Sequence, residues 1–121
     1  MVNQYKFQKL EVYHLALSYL DLVYSVVFQL PNKERFNISS QAIRAATSIP
    51  LNIAEGSTGQ SNSEQARFLS IAIRSYLETI ACLDLIERRD YVDMKQLPDI
   101  RRSGHHLFVK LVAFRKMLTN K

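Results

Sequence analysis

The sequence predicts an all-α protein, an up-down-up-down antiparallel four-helix bundle. Three observations carry the prediction. Apolar residues recur at steps of three and four along most of the 121 residues. Glycine and proline, three of each, are too scarce to interrupt long helices often. No stretch alternates apolar and polar residues as a half-buried strand would. A chain of this length is expected to form one domain, residues 1–121, with a core of its own. Its helices are expected at about 9–30, 39–56, 62–88 and 96–118. Short connections make consecutive helices antiparallel neighbours.

The first helix carries two apolar rows. Tyr13, Ala16, Leu20, Val23, Val27 and Leu30 form one; Val12, Leu15, Tyr19, Leu22 and Val26 form the other. Two rows exceed what a single core contact needs. This helix is therefore expected either to be deeply buried or to face another subunit as well. Pro31 and Asn32 end it, and Phe36 of the following loop is expected to tuck under the bundle edge.

The second helix is expected to open at Ser39, whose hydroxyl can accept from a free backbone N–H. Its apolar face is mostly Ala and Ile, which lets a neighbour approach closely. Pro50 lies in its interior, lacks an N–H and presses on the carbonyl of Ala46, so a kink is expected there. Gly56 stands where a left-handed terminal residue belongs. After the loop Ser57–Gln60, Ser61 and Glu64 have the spacing of a capping box.

The third helix follows Phe68, Ile71, Ala72, Ser75, Leu77 or Tyr76, Ile80, Leu83, and Ile86 or Glu87. Arg74 and Glu78, four apart, have the spacing of an ion pair. In the fourth helix Pro98 suits the first turn, and Ile100, Gly104, Leu107, Leu111, Phe114 and Leu118 form the inward row. Gly104 costs about 1 kcal/mol against Ala in a helix interior, which a very close neighbour would explain.

Composition narrows the function classes. The single cysteine, Cys82, cannot form an internal disulfide and is expected in the core. No signal-peptide pattern and no long apolar span occur, so a cytoplasmic protein with no membrane contact is expected. Glu11 and His14 form one Glu-x-x-His pair, but a di-iron bundle needs two, so no metal and no cofactor are expected. His105 and His106 are adjacent and point about 100° apart on a helix, which disfavours a shared ion. No phosphate-binding glycine loop or catalytic constellation is visible, and the protein is expected not to be an enzyme.

Two groups of polar residues remain. Arg44, Ser48, Asn52 and Glu55 share one face of the second helix, with Arg67, Ser75 and Glu78 on the third. They form either a ligand or RNA contact or a structural polar network that supports the proline and locks the two helices. The structural role is preferred, because a proline frees a carbonyl that needs a partner. The second group is basic. The net charge is +5, and residues 96–121 hold six basic side chains against one acidic. Arg101, Arg102, His105, Lys110, Arg115 and Lys116, with Arg88 and Arg89 before them, form the candidate nucleic-acid surface. The alternative is a solvated face that serves solubility.

The string Arg44–Gly56, RAATSIPLNIAEG, followed by a serine-rich loop and then Arg67-Phe68-Leu69, Ala72, Ser75 and Glu78, resembles the signature of a bacterial four-helix-bundle family, the ribosomal-RNA intervening-sequence proteins. Leu30-Pro31 and Glu34-Arg35-Phe36 extend the resemblance over nearly the whole chain. Arg74 departs from it, standing where the family usually has Gly. The resemblance implies a cytosolic bundle that assembles as a ring, often a pentamer. Combined with the basic segment, it leads to the expectation of a non-enzymatic homo-oligomer associated with RNA or other nucleic acid. The alternative is a protein-interaction scaffold that docks another protein on its ring surface, suggested by the doubly apolar first helix.

Overall fold

The computed structural model describes residues 3–59 and 61–120. Gln60 of the expected loop and the ends of the expected 1–121 domain lie outside the described residues. Four helices form: α1 (Glu11–Val27), α2 (Ile38–Gly56), α3 (Asn62–Arg88) and α4 (Leu97–Thr119). Short 3-10 turns at Lys6–Lys9, Asn32–Glu34 and Met94–Gln96 precede α1, α2 and α4. Each helix packs on its sequence neighbours, and α1 against α4 closes the ring. The all-α bundle predicted from periodicity is the observed architecture, with no strand among the described residues.

Several ends differ from expectation for local reasons. α1 stops at Val27 rather than residue 30, because Gln29 and Leu30 donate to the carbonyls of Val26 and Val27, three residues back. Pro31 disfavours helical geometry in the residue before it, which tightens this last turn. α2 starts at Ile38, ahead of the expected cap at Ser39, and Asn37 precedes it without a side-chain cap bond. The Asn37 amide instead donates to Glu34 Oε1 at 3.1 Å. Gly56 does not take the left-handed conformation expected of it. Gly59 does, with φ of 93°. Gly56 is small for another reason: a Cβ there would lie 2.8 Å from Phe68 Cβ, so α2 and α3 meet closely at this point. Ser61 Oγ accepts from the Glu64 N–H at 3.1 Å, as the capping-box spacing predicts. The Glu64 carboxylate turns to Arg67, 2.8 Å away.

The buried row of α1 is Val12, Ala16, Tyr19, Val23 and Val26. It draws from both expected rows and runs along the line between them. Tyr13, Leu15, Leu20, Leu22 and Val27 are half-buried shoulders packed against the same core. The double stripe is thus largely used within one chain. On α3 the choices resolve to Tyr76 and Ile86, both buried, while Leu77 and Glu87 face outward. On α4 the inward row holds, with Phe114 only half-buried. α2 runs continuously through Pro50, itself buried, and the bend expected there remains an expectation.

Gly104 sits at the centre of the bundle. A Cβ on it would lie 2.7 Å from Tyr19 Cε1 and 2.8 Å from Tyr76 Cε1. The missing side chain is the space those two rings occupy. Tyr19, Tyr76 and Phe108 form a ladder, with ring centroids 5.6 and 5.4 Å apart. The Thr79 hydroxyl donates to the Tyr76 carbonyl within its own helix. Its single proton is thereby used, so the Tyr19 hydroxyl, 2.7 Å away, is the donor to Thr79. This bond ties α1 to α3 across the core. Burial pushes the Tyr19 phenol up to about 12 and raises the Cys82 thiol as well.

Phe36 is the clearest misplacement. Expected under the bundle edge, it is 86% exposed. The edge is closed by its neighbour Glu34, which turns inward and accepts from the Tyr91 hydroxyl at 2.6 Å. Tyr91 belongs to the α3–α4 connector, so one hydrogen bond clasps the two loops at this end of the bundle.

Candidate functional site

Helix geometry distributes the cations of α4 around the rod. Arg101 and Lys110 are nine residues apart, about 180° around the helix. They lie on opposite flanks. Arg101 reaches α3, 3.0 Å from Asp84 and 3.3 Å from Glu87. Lys110 reaches α1, 3.4 Å from Glu11. Arg115 also leans toward α3, donating to Ser70 Oγ at 3.2 Å. These three side chains sit on the seams of α4 with its neighbours, and their charges are partly matched there.

Arg102 and Lys116 differ by fourteen residues, about 40° around the helix, so they share the outward side. Lys116 and His105 are exposed on it, and the His105 ring is tilted against Phe108. Arg102 pairs with Asp99, 2.9 Å away and one turn back. Both groups of that pair are exposed, and such pairs hold their partners weakly. Arg88 and Arg89 stand at the C-terminal end of α3, exposed. The candidate cations that reach solvent are therefore Arg102, His105 and Lys116 on α4 and Arg88 and Arg89 at the end of α3.

The second candidate group also divides. Ser48 Oγ meets Ser75 Oγ at 2.9 Å across the α2–α3 seam. The Asn52 amide donates to Ser48 O at 2.8 Å and to Ser48 Oγ at 2.9 Å. This half-buried trio is a lock between helices. It does not serve the Ala46 carbonyl that Pro50 leaves without its N–H, as expected from sequence, because Asn52 reaches only Ser48. Arg44, Glu55 and Glu78 are exposed and make no ion pair among the described residues, and Arg67 pairs with Glu64 instead. The Arg74–Glu78 pair is likewise absent among the described residues.

The structure adds a region that periodicity did not single out. At the end of the bundle where the α1–α2 loop meets the α3–α4 connector, Phe28 is 85% exposed and Phe36, eight residues on, is as exposed. The Arg35 guanidinium lies 5.2 Å from the centre of the Phe36 ring. A groove next to it is lined by Tyr24, Phe28, Pro31, Arg35 and Ile43. The available signal was the string Lys33-Glu34-Arg35-Phe36, an aromatic residue in an otherwise polar loop. The inward turn of Glu34 has a charge consequence too. The Tyr91 hydroxyl, then burial working against it, then the Asn37 amide set its carboxyl below the ordinary value of 4.5. The carboxylate is ionised but withdrawn, while Lys33 and Arg35 remain exposed.

Among the described residues no helix is long and apolar enough to cross a membrane, and no three His, Cys, Asp or Glu side chains gather as a metal site would require.

Comparison with known proteins agrees with this architecture. No curated protein matches the chain. A crystal structure from Bacteroides thetaiotaomicron, of a protein with unknown function from the S23 ribosomal protein family, superposes with a TM-score of 0.79 at 27% identity. The match covers 87% of this chain and 98% of that one. The family model described as 23S rRNA-intervening sequence protein matches residues 8–113. That span takes in all of α1, α2 and α3 and most of α4, and the chain belongs to the 23S rRNA-intervening sequence protein family.

Proposed function

We propose that the protein is a non-enzymatic homo-oligomer that binds RNA through its outward cations, Arg102, His105 and Lys116 on α4 and Arg88 and Arg89 at the end of α3. The observation that carries this is the charge distribution: the excess of +5 lies almost wholly in residues 96–121, in a chain whose family is described by ribosomal RNA. Phosphate contacts need cations that reach solvent, and these side chains do. Assembly of several copies, for which the resemblance suggests five and a cytoplasmic location, would repeat the patches and let weak contacts act together. The causes of the shifted pKa values support a non-catalytic role. Burial in the core raises Tyr19, Tyr76 and Cys82, while Glu34 and Tyr91 perturb each other in a loop clasp.

The test is RNA affinity measured across a salt series. Binding at low salt should weaken linearly in log–log form, and each phosphate contact removed should flatten the slope by about 0.7 for a single strand. A variant with Arg88, Arg89, Arg102 and Lys116 changed to Ala should lose most of that slope. An unchanged slope would assign the binding elsewhere, and no binding at low salt would remove the RNA role. Recovery of one protein partner, with no affinity for RNA, would favour the interaction scaffold instead.

A further inference from the structure

We propose that the loop end of the bundle is a stacking platform for unpaired RNA bases, with Phe28 and Phe36 as the ring surfaces and Lys33, Arg35 and Arg89 as phosphate contacts. This rests on the RNA reading above and names a contact that the basic helix does not supply.

Phe28 and Phe36 are the most exposed large apolar side chains among the described residues, and they come from different segments, the end of α1 and the loop after it. Arg35 links them: it lines the groove with Phe28 and lies over the ring of Phe36. Exposing two phenyl rings has no benefit to the isolated fold, since neither ring joins the core. Aromatic faces flanked by guanidinium groups are the chemistry that holds unpaired bases, because every base offers a π-face and every nucleotide a phosphate.

Charge distinguishes this occupant from a protein. Cores of protein interfaces are depleted of Lys, yet the exposed Lys33 stands between Phe28 and Phe36 along the chain. The carboxylate between Lys33 and Arg35 in sequence, Glu34, is withdrawn to Tyr91 and Asn37. The same clasp brings the α3 end close enough for Arg89 to act on the Glu34 carboxyl. Among the acids of the α3 end and the connector, Glu87 is paired with Arg101. Asp90 and Asp93 are the exposed carboxylates of the connector that work against the platform.

The probes are a labelled, unstructured single-stranded RNA and the same sequence as a duplex, with affinity and solution mass read together. Phe28→Ala with Phe36→Ala should weaken single-strand binding about 5- to 150-fold per base that loses its ring. The salt slope and the duplex affinity should not change, since rings contact no phosphate and paired bases are not free to stack. Phe36→Trp should retain affinity, and Arg35→Ala should lower the slope by about 0.7. Thermal melting of each variant checks the fold, which exposed positions should leave intact. Single-strand affinity that survives loss of both rings overturns the platform and leaves the RNA role standing. Equal losses on strand and duplex overturn it too, as does a fall in solution mass, which would make the patch a contact between copies. If the unsubstituted chain binds no RNA at low salt, the RNA role itself falls.

Discussion

Gly104 shows how a residue that weakens its own helix can be required by its neighbours. An alanine there would add about 1 kcal/mol of helix propensity. Its methyl group would also come within 3 Å of two ring carbons, on Tyr19 and Tyr76. Neither ring is free to move: Tyr19 is fully buried and donates to Thr79, and Tyr76 lies between Tyr19 and Phe108. Overpacking of this kind costs about 1–3 kcal/mol, so Gly104→Ala should lose up to roughly 2 kcal/mol net, read as a lower urea midpoint. A gain in stability would mean that the rings yield. The Glu34–Tyr91 clasp makes a prediction of a different kind, in pH. The folded state lowers the Glu34 carboxyl below 4.5, chiefly through the Tyr91 hydroxyl. The stabilisation is therefore present above 4.5 and is lost as pH falls through the lower folded value. Tyr91→Phe should melt below the wild type at neutral pH, and the gap should close as the solution is acidified past 4.5. A gap that persists in acid would mean that Tyr91 acts by packing alone.

At the scale of elements, the α2–α3 seam carries the polar lock. Ser48 and Ser75 hydroxyls bond directly, and Asn52 holds Ser48 in place. Replacing either serine by alanine should cost about 1 kcal/mol. The double variant should cost less than the two together, with a coupling of about 0.5–1 kcal/mol in an unfolding cycle. Strict additivity would show that the hydroxyls are not partners in solution. The four helices and their inward faces were legible because burial at a period of 3.6 leaves its mark at every turn of α2 and α4. Where α1 carried two rows, periodicity located the face only to within one residue, and the buried row runs between them. Gly56 was misread because sequence position suggests a left-handed terminus, while closeness to Phe68 depends on which helix lies opposite. Phe36 was misread because hydrophobicity says that a ring prefers burial, not that room exists, and the space at that edge went to Glu34. The candidate cations were found by counting charge. Their sorting into seam-bound Arg101, Lys110 and Arg115 and outward Arg102 and Lys116 depends on which neighbours flank α4.

For the whole molecule, charge and assembly pull against each other. Each 14.0 kDa protomer carries +5, and bringing copies together concentrates that charge. Self-repulsion of like charges opposes a compact assembly, and salt screens it over about 10 Å at 0.1 M. RNA binding has the opposite dependence, since salt opposes the counterion release that favours it. A homo-oligomer of this protein should therefore tighten as salt rises, while its grip on RNA loosens. At low salt RNA should take over the role of screening, neutralising such an oligomer and holding it together. Light scattering with and without nuclease separates these effects. Below about 0.05 M salt, nuclease should lower the mass by more than the RNA it removes, because bare protomers repel across a longer Debye length. Above about 0.3 M the mass should be a multiple of 14.0 kDa and insensitive to nuclease. A monomer at every salt concentration would rule out the homo-oligomer. A mass that falls together with RNA affinity as salt rises would mean that RNA alone, and no protein interface, holds the copies together.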